Sequence, residues 1–239
     1  MNSQTLTIRS HDGAQFAVFL AQPEASKAPG LLLIQYICGV NKVMRELAGE
    51  FAQQGYLTIV PDLFWRQEPG VQLIQDPSRP DKEEFQRALA LNDGFDDELG
   101  TRDLISTLQF LRRHEGCSGR AGALGYCLGG RMAYYMATRS DADCCVSYYG
   151  VNIHQHLDEA GRIRRPLLLH IAEQDQLVPP PAREAIVARL QKIPQVSISV
   201  HPRVNHAFAL PGGQAYDATA AERANRESLQ FLNSHLILS

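Results

Sequence analysis

The sequence predicts an α/β fold with a mainly parallel central sheet, helices on both of its faces and an N-terminal β-hairpin at its edge. Three observations carry this. Continuous apolar runs at residues 30–35, 121–125 and 166–171 have the character of strands covered on both sides. Segments of helical period separate most of the runs, and that alternation implies mainly parallel strands with helices on both faces. A length of 239 residues suits one such domain, and no linker rich in Gly or Ser divides the chain, so residues 1–239 are expected to form a single domain.

The elements follow in order. Residues 5–10 and 15–20 alternate around His11-Asp12-Gly13, a turn tripeptide with Gly where positive φ is needed, and form the edge hairpin. After the strand at 30–35, Asn41 is placed to cap a helix running to Gln54, with Met44, Leu47, Ala48 and Phe51 on one face and Gly55 as its stop. Residues 56–60 form a strand ended by Pro61-Asp62. Between 63 and 95 the pattern weakens, prolines recur at 69, 77 and 80, and only 81–91 has helical character. So long an irregular stretch is expected to act as a cap over a pocket. A helix at 97–113 precedes the strand at 121–125 and a helix at 128–138. Strands at 144–149, 166–171 and 196–201, a helix at 182–190 and a last helix at 215–236 complete the series.

Composition narrows the function. With 23 basic and 26 acidic side chains the net charge is −3, and no basic cluster marks a nucleic-acid or membrane surface. The five cysteines lack zinc-site or disulfide-framework spacing, which suits a reducing compartment. Met1-Asn2-Ser3-Gln4-Thr5 has no basic and then apolar character, and no run of about 18 apolar residues occurs, so the expected location is cytoplasmic. A small-molecule substrate and a monomer or weak homo-oligomer are expected.

The chemistry centres on Gly125-Tyr126-Cys127-Leu128-Gly129-Gly130. A Gly-x-Cys-x-Gly segment between a strand and a helix is the context of a nucleophile elbow. The helix N-terminus there would favour a thiolate. Sites of open α/β sheets lie beyond the C-terminal ends of strands, so the acid and base are sought in loops after later strands. Asp175 follows the strand at 166–171, and His206 follows the strand at 196–201. Nucleophile, acid and base in that order is the arrangement of α/β-hydrolases. The remaining histidines are read as structural, including His154 and His156, whose His-x-His spacing has no third ligand, so no metal is expected. Cys144 and Cys145 are read as small core residues, and Tyr149 as core or substrate wall.

The segments Leu33-Ile34-Gln35-Tyr36-Ile37-Cys38-Gly39-Val40-Asn41, Pro61-Asp62-Leu63-Phe64, Arg66-Gln67-Glu68-Pro69-Gly70, the elbow, Tyr148-Tyr149-Gly150-Val151 and Asn205-His206-Ala207-Phe208 together resemble dienelactone hydrolase (carboxymethylenebutenolidase) over nearly the whole chain. The resemblance implies an α/β-hydrolase fold and a carboxylic ester hydrolase without a cofactor. It assigns the nucleophile to Cys127, with Asp175 and His206 completing the triad, and the oxyanion hole to the backbone amides of Leu128 and Ile37. Three positions depart from the family pattern. Tyr36 stands where the family has a glutamate, Cys38 where it has an aromatic residue, and Leu210 where it has a carboxylate-reading arginine. Phe85 aligns with a second such arginine in the cap, where Arg79 or Arg87 could substitute for it. Tyr36, Cys38, Tyr149, Phe208 and Leu210 are therefore expected to shape a pocket for a neutral, more apolar ester or lactone. Cys38 is read as pocket lining in preference to a disulfide partner of Cys127. Other acyl or carbon–halogen chemistry on the same triad, or a ligand sensor with little turnover, are the competing readings.

Overall fold

A computed structural model describes residues 2–237. Met1, Leu238 and Ser239, part of the single domain expected at 1–239, lie outside the described residues. Strands β1 (Asn2–Arg9), β2 (Gln15–Gln22), β3 (Ala28–Ile34), β4 (Leu57–Pro61), β5 (Cys117–Tyr126), β6 (Cys145–Tyr148), β7 (Leu167–Ala172) and β8 (Val196–His201) form one sheet in the order β1-β2-β4-β3-β5-β6-β7-β8. The β1–β2 hairpin pairs antiparallel, as does β2 with β4, and all other neighbours are parallel. Residues 31–34 of β3 are fully buried, in keeping with a strand covered on both faces.

The helices are α1 (Lys42–Gln53), α2 (Lys82–Asp93), α3 (Asp97–Arg113), α4 (Leu128–Arg139), α5 (Pro180–Leu190) and α6 (Ala218–Leu236). Asparagine or aspartate caps four of them. Asn41 accepts from the Met44 amide, Asp81 from Glu83 and Glu84, Asp96 from Glu98 and Leu99, and Asp217 from Ala220. The Asp217 cap is why the last helix begins at 218 and not at the expected 215. A 3₁₀ segment at Ile153–Arg162, kinked at His156, occupies the stretch read from sequence as a solvated loop.

Strand order reverses direction at β3: the chain steps one way to β4, then crosses back to β5. With right-handed crossovers this puts α1 and α3 on opposite faces, and a cleft opens beyond the C-terminal ends of β3 and β5. Tyr56 and α6 close one face through a 2.6 Å bond from the Tyr56 hydroxyl to Asn233. On the other face Asp97 of α3 accepts from Arg131 (2.9 Å) and Tyr135 (3.1 Å) of α4.

The segment after β4 is anchored by charge. Arg66 holds buried Asp103 with two bonds, Nε to Oδ2 at 2.9 Å and Nη2 to Oδ1 at 2.8 Å, and reaches Asp12 in the hairpin turn with Nη1 at 2.7 Å. Ser10 and Trp65 also donate to Asp103, and Trp65 stacks on Phe16 at 5.2 Å. Hairpin, α3 and the start of the 63–95 segment are thus tied at one point.

Candidate active site

Between β5 and α4 the chain turns sharply, and Cys127 takes up the turn with φ 57° and ψ −112°. A side chain in that region is strained and persists only where its surroundings over-determine it. Here the glycines do so. A Cβ at Gly125 would overlap the Gly129 backbone, and one at Gly129 would overlap the Ile34 carbonyl and lie 2.6 Å from that of Gln35. Strand and helix can approach only because both positions lack one. The Cys127 amide donates to the Tyr148 carbonyl at 3.1 Å, fixing the turn against β6.

Asp175 sits just beyond β7 and is buried. Its Oδ1 accepts the amides of Leu177 (2.8 Å) and Val178 (3.2 Å). Both carboxylate oxygens also meet His206 Nδ1, Oδ2 at 2.9 Å and Oδ1 at 3.1 Å. Asn205 Oδ1 accepts the amides of Gln176 (3.0 Å) and His206 (2.7 Å), which holds the two loops in register. The pairing at Nδ1 leaves His206 Nε2 buried and without a hydrogen-bond partner, on a ring that feels the Cys127 sulfur. Burial resists charging this imidazole. The Cys127 sulfur and the bond to Asp175 outweigh burial and raise His206 to about 10.

Cys127 and His206, but not Asp175, border a cavity of about 470 Å³. Cys127, His206, Tyr36, Ile37, Cys38, Tyr149 and Leu210 all line it. Leu128 and Phe208 do not: the Leu128 side chain is fully buried, and the Phe208 ring packs on Tyr149 (5.5 Å) and His201 (4.7 Å) behind the wall. Leu128 can reach the cavity through its amide, which is the first of α4 and has no acceptor within the helix. The Ile37 amide donates to no group among the described residues. Its loop is pinned to the 63–95 segment by Val40 N to Val71 O (3.2 Å) and Leu73 N to Cys38 O (2.9 Å). At Gly39, with φ 78°, a Cβ would overlap the Val71 carbonyl.

Tyr36 is buried, and its hydroxyl accepts from Asn41 Nδ2 at 2.7 Å. Burial, then the nearby Cys38 sulfur, pushes its ionisation upward, so it stays a neutral phenol. Burial likewise pushes Cys38 up to about 12, and Cys127 adds to that. Neither Arg79 nor Arg87 lines the cavity, and Arg87 is paired with Glu68 instead. Lys82 is the one lysine or arginine in the lining.

The outer wall contains Phe85, the cap position aligned with the family's second arginine, together with residues that sequence reasoning passed over: Ile74, Leu177 and, beside Phe85 on α2, Leu89. Their signal was present. Phe85 and Leu89 form an i, i+4 apolar stripe on a mostly polar helix, 45% and 40% exposed, while Ala88 and Leu91 face the body.

The family model for the dienelactone hydrolase family matches residues 16–236. A provisionally assigned carboxymethylenebutenolidase of Azospirillum brasilense is 44% identical over 97% of this chain and 98% of its own length. The carboxymethylenebutenolidase of Pseudomonas putida is 34% identical over 97% of each. Among solved structures, a provisionally assigned dienelactone hydrolase from Klebsiella pneumoniae superposes with a TM-score of 0.81 at 22% identity, covering 96% of this chain and 98% of that one. The last likeness shows the α/β-hydrolase fold, and no helix of the described residues is long and apolar enough to cross a membrane. On the family match and the two relatives, the chain belongs to the dienelactone hydrolase family and is a hydrolase of that type.

Proposed function

We propose that the protein is a cysteine-dependent hydrolase of ester or lactone bonds in neutral, largely apolar small molecules. Cys127 is the nucleophile, His206 the acid–base group and Asp175 the residue that orients it. The observation that carries the reading is the pairing of both Asp175 oxygens with His206 Nδ1, which leaves Nε2 open beside a cysteine held on a strained elbow at an apolar cavity. An imidazole fixed in this tautomer accepts and returns protons at Nε2 only.

In this mechanism the Cys127 sulfur adds to the acyl carbon, and the carbonyl electron pair moves onto oxygen against the Leu128 and Ile37 amides. The bond to the alcohol oxygen breaks, and His206 gives its proton to the departing alkoxide. Water then enters, His206 takes one of its protons, and hydroxide adds to the thioester carbon. The carbon–sulfur bond breaks and releases the acid. Tyr36 contributes a neutral donor. Asn41 already supplies the proton in their shared bond, so the phenolic O–H is free to point at a third group, here the substrate. Cys38, held as a thiol by burial, serves as wall.

Burst kinetics with a chromogenic neutral ester test the reading. Cys127→Ala is expected to lose roughly 10³-fold or more in kcat/KM, and intact mass of Cys127→Ser should reveal a trapped acyl group. Undiminished turnover by Cys127→Ala overturns the assignment.

A further inference from the structure

Behind the catalytic wall, β7, β8 and α6 bring together two histidines and a glutamate for which the hydrolase reaction has no use. His170 Nδ1 lies 3.0 Å from His201 Nε2 and 3.8 Å from Glu227 Oε2, and all three atoms fall within 4.8 Å of one another. We propose that they form a binding site for one divalent transition-metal ion of the zinc class.

The geometry fits such an ion. A point equidistant from the three atoms lies at most about 2.4 Å from each. Movements of a few tenths of an ångström therefore reach the roughly 2.0–2.2 Å of zinc–imidazole and zinc–carboxylate bonds. Two nitrogens and one oxygen favour zinc, cobalt or nickel over calcium or magnesium. Both imidazoles are buried, each about 1% exposed, so the donor atoms face one another away from bulk water.

The surroundings have the features of an outer shell. His170 Nε2 bonds Ser228 Oγ at 2.9 Å, Ser228 bonds the Tyr148 hydroxyl at 2.7 Å, and that hydroxyl donates to Asn225 at 3.0 Å. Such a chain holds a ligating imidazole in one orientation and tautomer. Two buried atoms in the cluster lack partners, His201 Nδ1 and Glu227 Oε2. A metal accounts for the second. Glu227 Oε2 becomes a ligand, while its other oxygen keeps the 2.8 Å bond from Arg223. The proton shared by the two imidazoles moves to the outer nitrogen of the ring that carries it, His201 Nδ1 or His170 Nε2 beside Ser228, freeing both facing nitrogens for the ion with no net proton release. Three protein ligands leave a fourth position for water, on the side where the Glu227 side chain is 30% exposed.

The site lies apart from the cavity yet touches its back wall, since the His201 ring packs against Phe208 and Phe208 meets Tyr149 edge to face. The sequence offered no sign of it because the three ligands come from separate elements. Its test reads metal occupancy and so is independent of the catalytic assignment. Tag-free, metal-stripped protein is titrated with Co²⁺, followed by visible absorption, and with Zn²⁺, followed by calorimetry. One equivalent with tetrahedral cobalt bands is expected. Glu227→Gln and His201→Gln should each weaken binding at least tenfold, and the double variant His154→Gln/His156→Gln should leave it unchanged. Glu227 is near the surface, so its variant keeps the fold. Absence of saturable binding, binding indifferent to Glu227→Gln and His201→Gln, or binding lost with His154 and His156 overturns the proposal and leaves a hydrogen-bonded histidine pair without an ion.

Discussion

His206 is pulled in two directions, by burial, which disfavours its charge, and by Cys127 and Asp175, which favour it and prevail. Its folded value of about 10 exceeds the ordinary value near 6.5, so the protonated ring binds its proton more tightly in the native state. By linkage, that stabilisation is fully present below about pH 6.5 and is lost as pH rises through about 10. Urea unfolding of wild type against His206→Gln should show it: the stability difference between the two is expected to shrink steadily from pH 6.5 to 10. A difference independent of pH would mean that the ring is neutral throughout. The residues of this site were legible because each follows a strand end, and strand ends can be recognised locally. Phe208 was misread as wall for a related reason. Adjacency to His206 in sequence says nothing about which way a ring points, and this one packs backward onto His201.

At the scale of elements, the strand–helix alternation was readable because buried strands and amphipathic helices have different periods. The 3₁₀ segment at Ile153–Arg162 was not, since its order comes from tertiary bonds. Tyr134 donates to the His156 carbonyl at 2.9 Å, and Arg139 pairs with Glu159. Arg66 is a similar case: its sequence context suggested family membership, while the structure gives it a mechanical part joining three elements. Removing it leaves the Asp103 carboxylate buried with only Ser10 and Trp65 as donors. Arg66→Met is therefore expected to lower unfolding free energy by about 3 kcal/mol, as for the broken side of a buried ion pair. Arg66→Lys should recover only part of the loss, because an ammonium cannot reproduce the fork. Denaturant midpoints measure both, and a loss below about 0.5 kcal/mol for Arg66→Met would show that the network is screened like a surface pair.

The whole molecule resolves into a chemical core at the topological switch point and an apolar outer wall contributed largely by residues 63–95 and the loop holding Leu210. The first was legible from motif and order along the chain. The second was not, because that wall is assembled from an irregular segment whose side chains converge only in the fold. Its chemistry decides what can enter. A carboxylate-bearing ester would have to leave water for a cavity whose one lysine or arginine is Lys82, and an uncompensated ion in such surroundings is strongly disfavoured. Neutral esters meet Ile74, Phe85, Leu89 and Leu210 at no such cost. Wild type is accordingly expected to prefer a neutral ester over its carboxylate-bearing counterpart by roughly tenfold or more in kcat/KM, about 1.4 kcal/mol of discrimination. Leu210→Arg places a guanidinium in the lining and should narrow or reverse that preference, raising turnover of the anionic ester and lowering that of the neutral one. A preference unmoved by Leu210→Arg would place the control of substrate charge elsewhere in the wall, with Lys82→Met the next variant to separate the contributions.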